Sequence, residues 1–147
     1  MSNSKQTGFT LVELIVVIAI LGILAATALP RFINETTNAR VAAVNGMAGA
    51  LSSAVGVVQS AYFAAGGTGV TATMADGTSV AVATGTGIPT GTAGGIGNAL
   101  NTTNGFTPSY TTPTAVTFTP STYGGAGPCN ATYNGTTGAV TVNSSCS

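Results

Sequence analysis

Hydrophobic and polar positions divide the chain into four stretches of different periodicity. Residues 1–8, Met-Ser-Asn-Ser-Lys-Gln-Thr-Gly, form a polar leader with one positive charge. From Phe9 to Leu29 the chain is almost entirely Leu, Ile, Val and Ala, and from Leu14 to Pro30 there is no charge in 17 residues. As a helix, the 21 residues Phe9 to Leu29 would span about 31 Å, against a bilayer core of about 30 Å. Apolar side chains occupy every face, a pattern suited to lipid or to a tightly packed helical bundle. Residues 9–30 therefore read as an apolar transmembrane or bundle-core helix.

The period changes after Pro30. Val44, Met47, Leu51, Val55, Val58 and Tyr62 recur at spacings of three and four residues, the stripe of a helix that faces a core. Met47 and Tyr62 belong to that stripe and read as packing. Residues 31–63 are thus an amphipathic helix, ended by Gly66-Gly67. Pro30 lies where the two helical stretches join, which predicts a kink, and Gly22 weakens the helix before it. A simple bend at the membrane exit accounts for Pro30 as well.

Residues 64–147 are rich in Thr, Gly, Ala, Ser and Asn and carry strand signals. Val70–Met74 and Thr78–Ala83 flank Asp76-Gly77, the pattern of a hairpin. Ala115–Thr119, Cys129–Tyr133 and Ala139–Asn143 show the β-branched alternation of antiparallel strands, with Asn134-Gly135 opening the last turn. Ile88 to Gly95 reads as loop, Ile96 to Leu100 as a helical turn, and residues 84–95 as a Gly/Thr linker. The expected class is α+β: a long N-terminal helix on a small antiparallel sheet.

Composition narrows the chemistry. The chain is 44% hydrophobic and 4% charged, with a net charge of zero, so no basic field exists to hold nucleic acid. There is no His, and the three carboxylates, Glu13, Glu35 and Asp76, are scattered. No acid–base pair, metal-ligand cluster or nucleophile motif emerges, and no enzyme, metal or cofactor is expected. Arg31 and Glu35, four apart, read as an ordinary exposed pair.

Glu13 stands out, because a carboxylate inside an apolar span is costly and marks either a functional site or a boundary residue reaching the headgroups. Its context decides between them. Gly8-Phe9-Thr-Leu-Val-Glu13 resembles the prepilin peptidase site of type IV pilins and the related pseudopilins, and the likeness runs through the apolar helix to Gly22 and Pro30. Leu29-Pro-Arg-Phe-Ile-Asn-Glu-Thr-Thr-Asn-Ala-Arg40 resembles the mannose-sensitive haemagglutinin class of major pilins; the likeness fades after about Tyr62.

The resemblance implies cleavage between Gly8 and Phe9, N-methylation of Phe9, and a homopolymeric filament in which Glu13 meets the Phe9 amine of a neighbouring subunit and sets the register. Gly22 and Pro30 would bound a segment able to unwind when a filament stretches. It also implies a pilin fold, a prepilin peptidase, an assembly platform with ATPases and a secretin as partners, and an inner-membrane precursor that becomes an extracellular pilus of a Gram-negative bacterium. Cys129 and Cys146, the only cysteines, would pair in an exported head, the alternative being two free thiols. Ser147 is a glycosylation acceptor by the same analogy.

Competing readings remain at this level. Ala26-Thr27-Ala28 fits a signal-peptidase site, which would start a secreted domain at Leu29. A type II secretion pseudopilin, a minor pilin and a plain membrane anchor share the helix. Surface attachment or motility is the expected filament role, and nucleic-acid binding along the shaft is not expected.

Overall fold

A computed structural model describes residues 8–112, 114–125 and 127–147; the side chains of residues 29–34 lie outside the description. The chain has the expected α+β arrangement, a long N-terminal helix followed by small antiparallel sheets. It divides into two units, Met1–Thr36 and Thr37–Ser147.

The first unit is helical from Leu11, where helix α1 (Leu11–Ala64) begins. Phe9 and Thr10 precede it, so the helix starts two residues later than the apolar run suggests. The reason is local: Thr10 acts as the N-cap, as detailed below. The backbone stays helical through Pro30. The expected Arg31–Glu35 pair involves the Arg31 side chain, which lies outside the described residues.

In the second unit, α1 buries Val44, Met47, Leu51, Val55, Val58 and Tyr62, each 9% exposed or less. The 3.6-residue period stacks these side chains on one face, and each contributes about 1.5–3 kcal/mol when fully buried. The helix ends where Gly66 and Gly67 adopt φ of 104° and 69°. Their N–H groups donate to the carbonyls of Phe63 and Tyr62, both at 3.0 Å, which satisfies acceptors that the last turn leaves open.

Strands β1 (Thr71–Thr73) and β2 (Ser79–Ala81) form the hairpin around Asp76-Gly77. The Asp76 carboxylate accepts from Thr78 N at 2.9 Å, which holds its pKa below the usual value. The hairpin places Ala72, Val80 and Val82 against Val58 and Tyr62.

The larger sheet is an antiparallel meander, β3 (Phe106–Thr112), β4 (Ala115–Pro120), β5 (Cys129–Asn134) and β6 (Val140–Ser144). Alternation in β4 and β5 sends Val116, Phe118, Cys129, Ala131 and Tyr133 into the core shared with Val44, Met47 and Leu51. The opposite face carries Thr117, Thr119, Asn130 and Thr132. Hydroxyls and amides solvate this face in place of charge.

One expectation needs correction. The stretch 84–95 is not a linker: Gly87, Pro89, Gly91 and Gly95 are buried, and Val82 bridges Pro89. Gly87 has φ +65°, and a Cβ there would sit 2.7 Å from the Tyr62 ring, so close backbone approach explains the glycine. The helical turn expected at Ile96–Leu100 is present through Ala99, and a wide turn at Ala93–Gly97 leads into it. Thr92 sets its start by accepting from Gly95 N at 3.1 Å.

Cys129 and Cys146 are joined, with Cα atoms 4.7 Å apart. The bridge fastens the C-terminal segment to the first residue of β5. Reducing it in the folded chain is expected to lower stability by about 3 kcal/mol on the chain-entropy estimate, read from denaturation midpoints with and without reductant. No change in midpoint would show that the core alone holds this segment.

Tyr133 is fully buried and its hydroxyl donates to Pro89 O at 2.6 Å. Burial pushes its pKa well above the ordinary value. Because the folded pKa is raised, the contribution is complete below the unfolded pKa of about 10 and declines as pH rises above it. Tyr133→Phe is expected to cost about 1–3 kcal/mol at neutral pH by orphaning the Pro89 carbonyl. The same variant should lose stability less steeply above pH about 10, measured by thermal unfolding across alkaline pH.

Candidate functional site: the apolar helix and its first turn

The segment Leu11–Ala28 has a mean hydropathy of 2.7 and none of it is buried within the chain. Leu11, Val12, Leu14, Ile15, Ile18, Leu21, Ile23 and Leu24 are each 51–72% exposed. An apolar surface of this extent on a lone chain requires lipid or other helices. Glu35–Ala64 is also long and apolar enough to cross a membrane, with mean hydropathy 1.6, but its buried stripe is already used by the head core.

The one carboxylate in the first segment is held by its own helix start. Glu13 Oε2 accepts from Thr10 N and from Thr10 Oγ1, each at 2.8 Å. In return Glu13 N donates to Thr10 Oγ1 at 3.3 Å. This reciprocal arrangement is a capping box, T-x-x-E, which satisfies two N–H groups that an isolated helix start leaves open. It also puts a negative charge at the positive end of the helix dipole. Among the described residues, Glu13 Oε1 has no partner.

Neither charge nor apolar patterning marks Thr10. Its signal was present: Thr, then Glu three residues later, immediately before an apolar run. Gly8 and Phe9 lie just before the cap, and Phe9 is 94% exposed. Thr27, the other hydroxyl of the segment, donates to Leu24 O at 3.0 Å and so needs no outside partner in an apolar medium. Gly22 has open space where a Cβ would be, so nothing within this chain demands glycine there.

No group of three or more His, Cys, Asp or Glu that could hold a metal occurs among the described residues. An open cleft of about 500 Å³ is lined by Ala50, Ala54, Val57, Met74 and Leu100, with Asp76 at its wall. Arg40 lies 5.5 Å over the Tyr123 ring and reaches Cys146 O at 3.5 Å. It therefore braces the disulfide segment. The Tyr123 hydroxyl donates to Gly127 O at 2.8 Å, with Ser145 O at 3.1 Å and Ser147 O at 3.3 Å close by. Ser147 itself is exposed.

The features that define the chain's class are a polar leader and a capped apolar helix long enough to cross a membrane. The sequence model of the prokaryotic N-terminal methylation motif matches residues 3–29. The chain is 59% identical over 39 residues to "Type IV major pilin protein PilE1" of Neisseria gonorrhoeae, covering 26% of this chain and 24% of that protein. It is 47% identical over 53 residues to "Type IV narrow pilus major component PilA5" of Thermus thermophilus, covering 36% and 46%. "Type IV major fimbrial protein FimA" of Dichelobacter nodosus matches at 43% over 53 residues, covering 36% and 34%. In this N-terminal segment the chain is similar to type IV major pilins. The match spans about a quarter of the length of the Neisseria relative, and no solved structure matches.

Replacing Thr10 with Ala is expected to weaken the first turn by about 1 kcal/mol. Amide hydrogen exchange of micelle-embedded subunits should then accelerate at Leu11–Glu13 and stay unchanged beyond Ile18. Equal protection in both forms would show that lipid contacts alone hold the helix start.

Proposed function

We propose that the chain is the major structural subunit of a type IV pilus, cut between Gly8 and Phe9 and N-methylated on Phe9. The observation that carries this reading is the apolar helix segment, exposed along its length, whose single carboxylate, Glu13, keeps one oxygen on Thr10 and offers the other. In the filament, Glu13 Oε1 accepts from the Phe9 amine of an adjacent subunit. Each charge offsets the desolvation of the other only when the helices are staggered correctly, whereas Leu and Ile contacts survive small slips. Glu13 thus sets register more than it adds stability. Gly22 and Pro30 bound the weakest part of the helix, where extension under load would begin.

The partners on this reading are further copies of the chain, a prepilin peptidase, and an assembly platform with ATPases and a secretin. The precursor resides in the inner membrane of a Gram-negative bacterium and the product is extracellular, serving attachment or motility. The chain catalyses nothing and binds no nucleic acid along the shaft; Ser147 is available for glycosylation. The alternative, a type II secretion pseudopilin, is less favoured. Asp76 is the only carboxylate beyond Glu35, too few for a hard-cation loop, and a disulfide ties the C-terminal segment. A minor pilin remains the second alternative.

Terminal sequencing of subunits from sheared surface fibres is expected to begin at methylated Phe9. Glu13→Ala subunits should be cleaved normally yet yield few fibres by electron microscopy. Fibres that begin at Leu29 or at Met1, or normal assembly of the variant, would refute the reading.

A further inference from the structure

Three Asn-Gly pairs occur in the chain, at 45–46, 104–105 and 134–135, and the fold treats them differently. Asn-Gly is the dipeptide most prone to spontaneous deamidation. The backbone nitrogen of glycine attacks the asparagine Cγ, ammonia leaves, and water opens the resulting succinimide to aspartate or isoaspartate. The attack needs a glycine N–H that is not committed elsewhere, an asparagine side chain free to turn, and a backbone that can bring the two together.

Asn45-Gly46 lies inside α1. Helical dihedrals hold the glycine nitrogen away from Cγ and commit its N–H along the helix. Asn134 is fixed from both sides. Its Oδ1 accepts from Thr136 N at 2.9 Å and Thr137 N at 3.1 Å, and the buried Gly135 donates its own N–H to Thr114 O at 2.9 Å. Asn104-Gly105 has neither restraint. Both residues are exposed in the turn before β3. The turn is closed by Phe106 N donating to Thr103 O at 2.9 Å and by Asn104 N donating to Thr102 Oγ1 at 3.1 Å. The Asn104 side chain and the Gly105 N–H have no partner among the described residues.

We infer that Asn104 is a site of spontaneous deamidation, selected by the fold from three chemically equivalent pairs. The reaction consumes one water and releases one ammonia per subunit, with no enzyme and no redox partner. It adds one negative charge to a chain whose side chains sum to zero, two residues along from Thr102 at the cleft that Asp76 borders. A subunit kept outside the cell, beyond replacement by synthesis, would accumulate this charge with age. That consequence rests on the pilus reading; the chemistry does not.

The test is peptide mapping by mass spectrometry of the full chain in detergent, aged in mildly alkaline buffer, with isoaspartate detection. Asn104 is expected to convert at least about tenfold faster than Asn45 or Asn134, since both of those must first break hydrogen bonds by local opening. In urea-denatured chain the three rates should converge. Asn104→Gln should abolish the acidic form seen on isoelectric focusing of the folded chain. The inference is overturned if Asn134 or Asn45 keeps pace in the folded chain, if the native ranking persists after denaturation, or if the acidic form survives in Asn104→Gln. None of these outcomes depends on whether the chain forms filaments, so the two readings fail separately.

Discussion

A single ionised group in the first turn of an oily helix constrains everything else about this chain. A lone carboxylate in an apolar medium costs several kcal/mol, and the helix start beside it leaves its own N–H groups exposed. The Thr10–Glu13 capping box addresses both with residues three apart. The solution is partial, because one carboxylate oxygen is left over. A subunit that is tolerable alone in a membrane, yet still lacks one partner, is suited to assembly by addition of identical copies. On the proposed reading the cap makes the unassembled state viable, and the spare oxygen makes the assembled state specific.

The second unit follows a different logic. Its core is a helix stripe laid on a four-stranded meander, closed by Tyr133 bonded to Pro89 and by the Cys129–Cys146 bridge. Its outward sheet face is built from Thr and Asn, so solubility rests on hydroxyls and amides. The two ionised side chains beyond Glu35 are both committed within the head: Asp76 to its turn, Arg40 to Tyr123 and the Cys146 carbonyl. A surface this poor in charge can lie close to copies of itself with little like-charge repulsion.

Periodicity made much of this legible. The 3–4 stripe from Val44 to Tyr62 is the buried face of α1, and alternation located β4, β5 and β6 to within a residue or two. Asp76-Gly77 marked the hairpin. Strand β3 was missed because Pro108 removes a ladder donor; it is tolerated here on the edge of the sheet. The glycines of residues 84–95 looked like a linker because composition cannot distinguish a flexible glycine from one that admits a close neighbour. At Gly87 that neighbour is Tyr62, 25 residues earlier. Thr10 was overlooked for the opposite reason, since its capping signal is local but was overshadowed by the charge it serves. The register role proposed for Glu13 would belong to contacts between copies, which no single chain contains.

The central claim is that the spare Glu13 oxygen meets the terminal amine of another copy. Solid-state NMR of filaments grown from two subunit pools tests it directly, one labelled with 15N at the Phe9 amine and the other with 13C at Glu13 Cδ. The account predicts dipolar contact between the two labels, which can arise only between subunits. Contact confined to filaments whose label pair sits in one chain, or no contact in intact filaments, would contradict it.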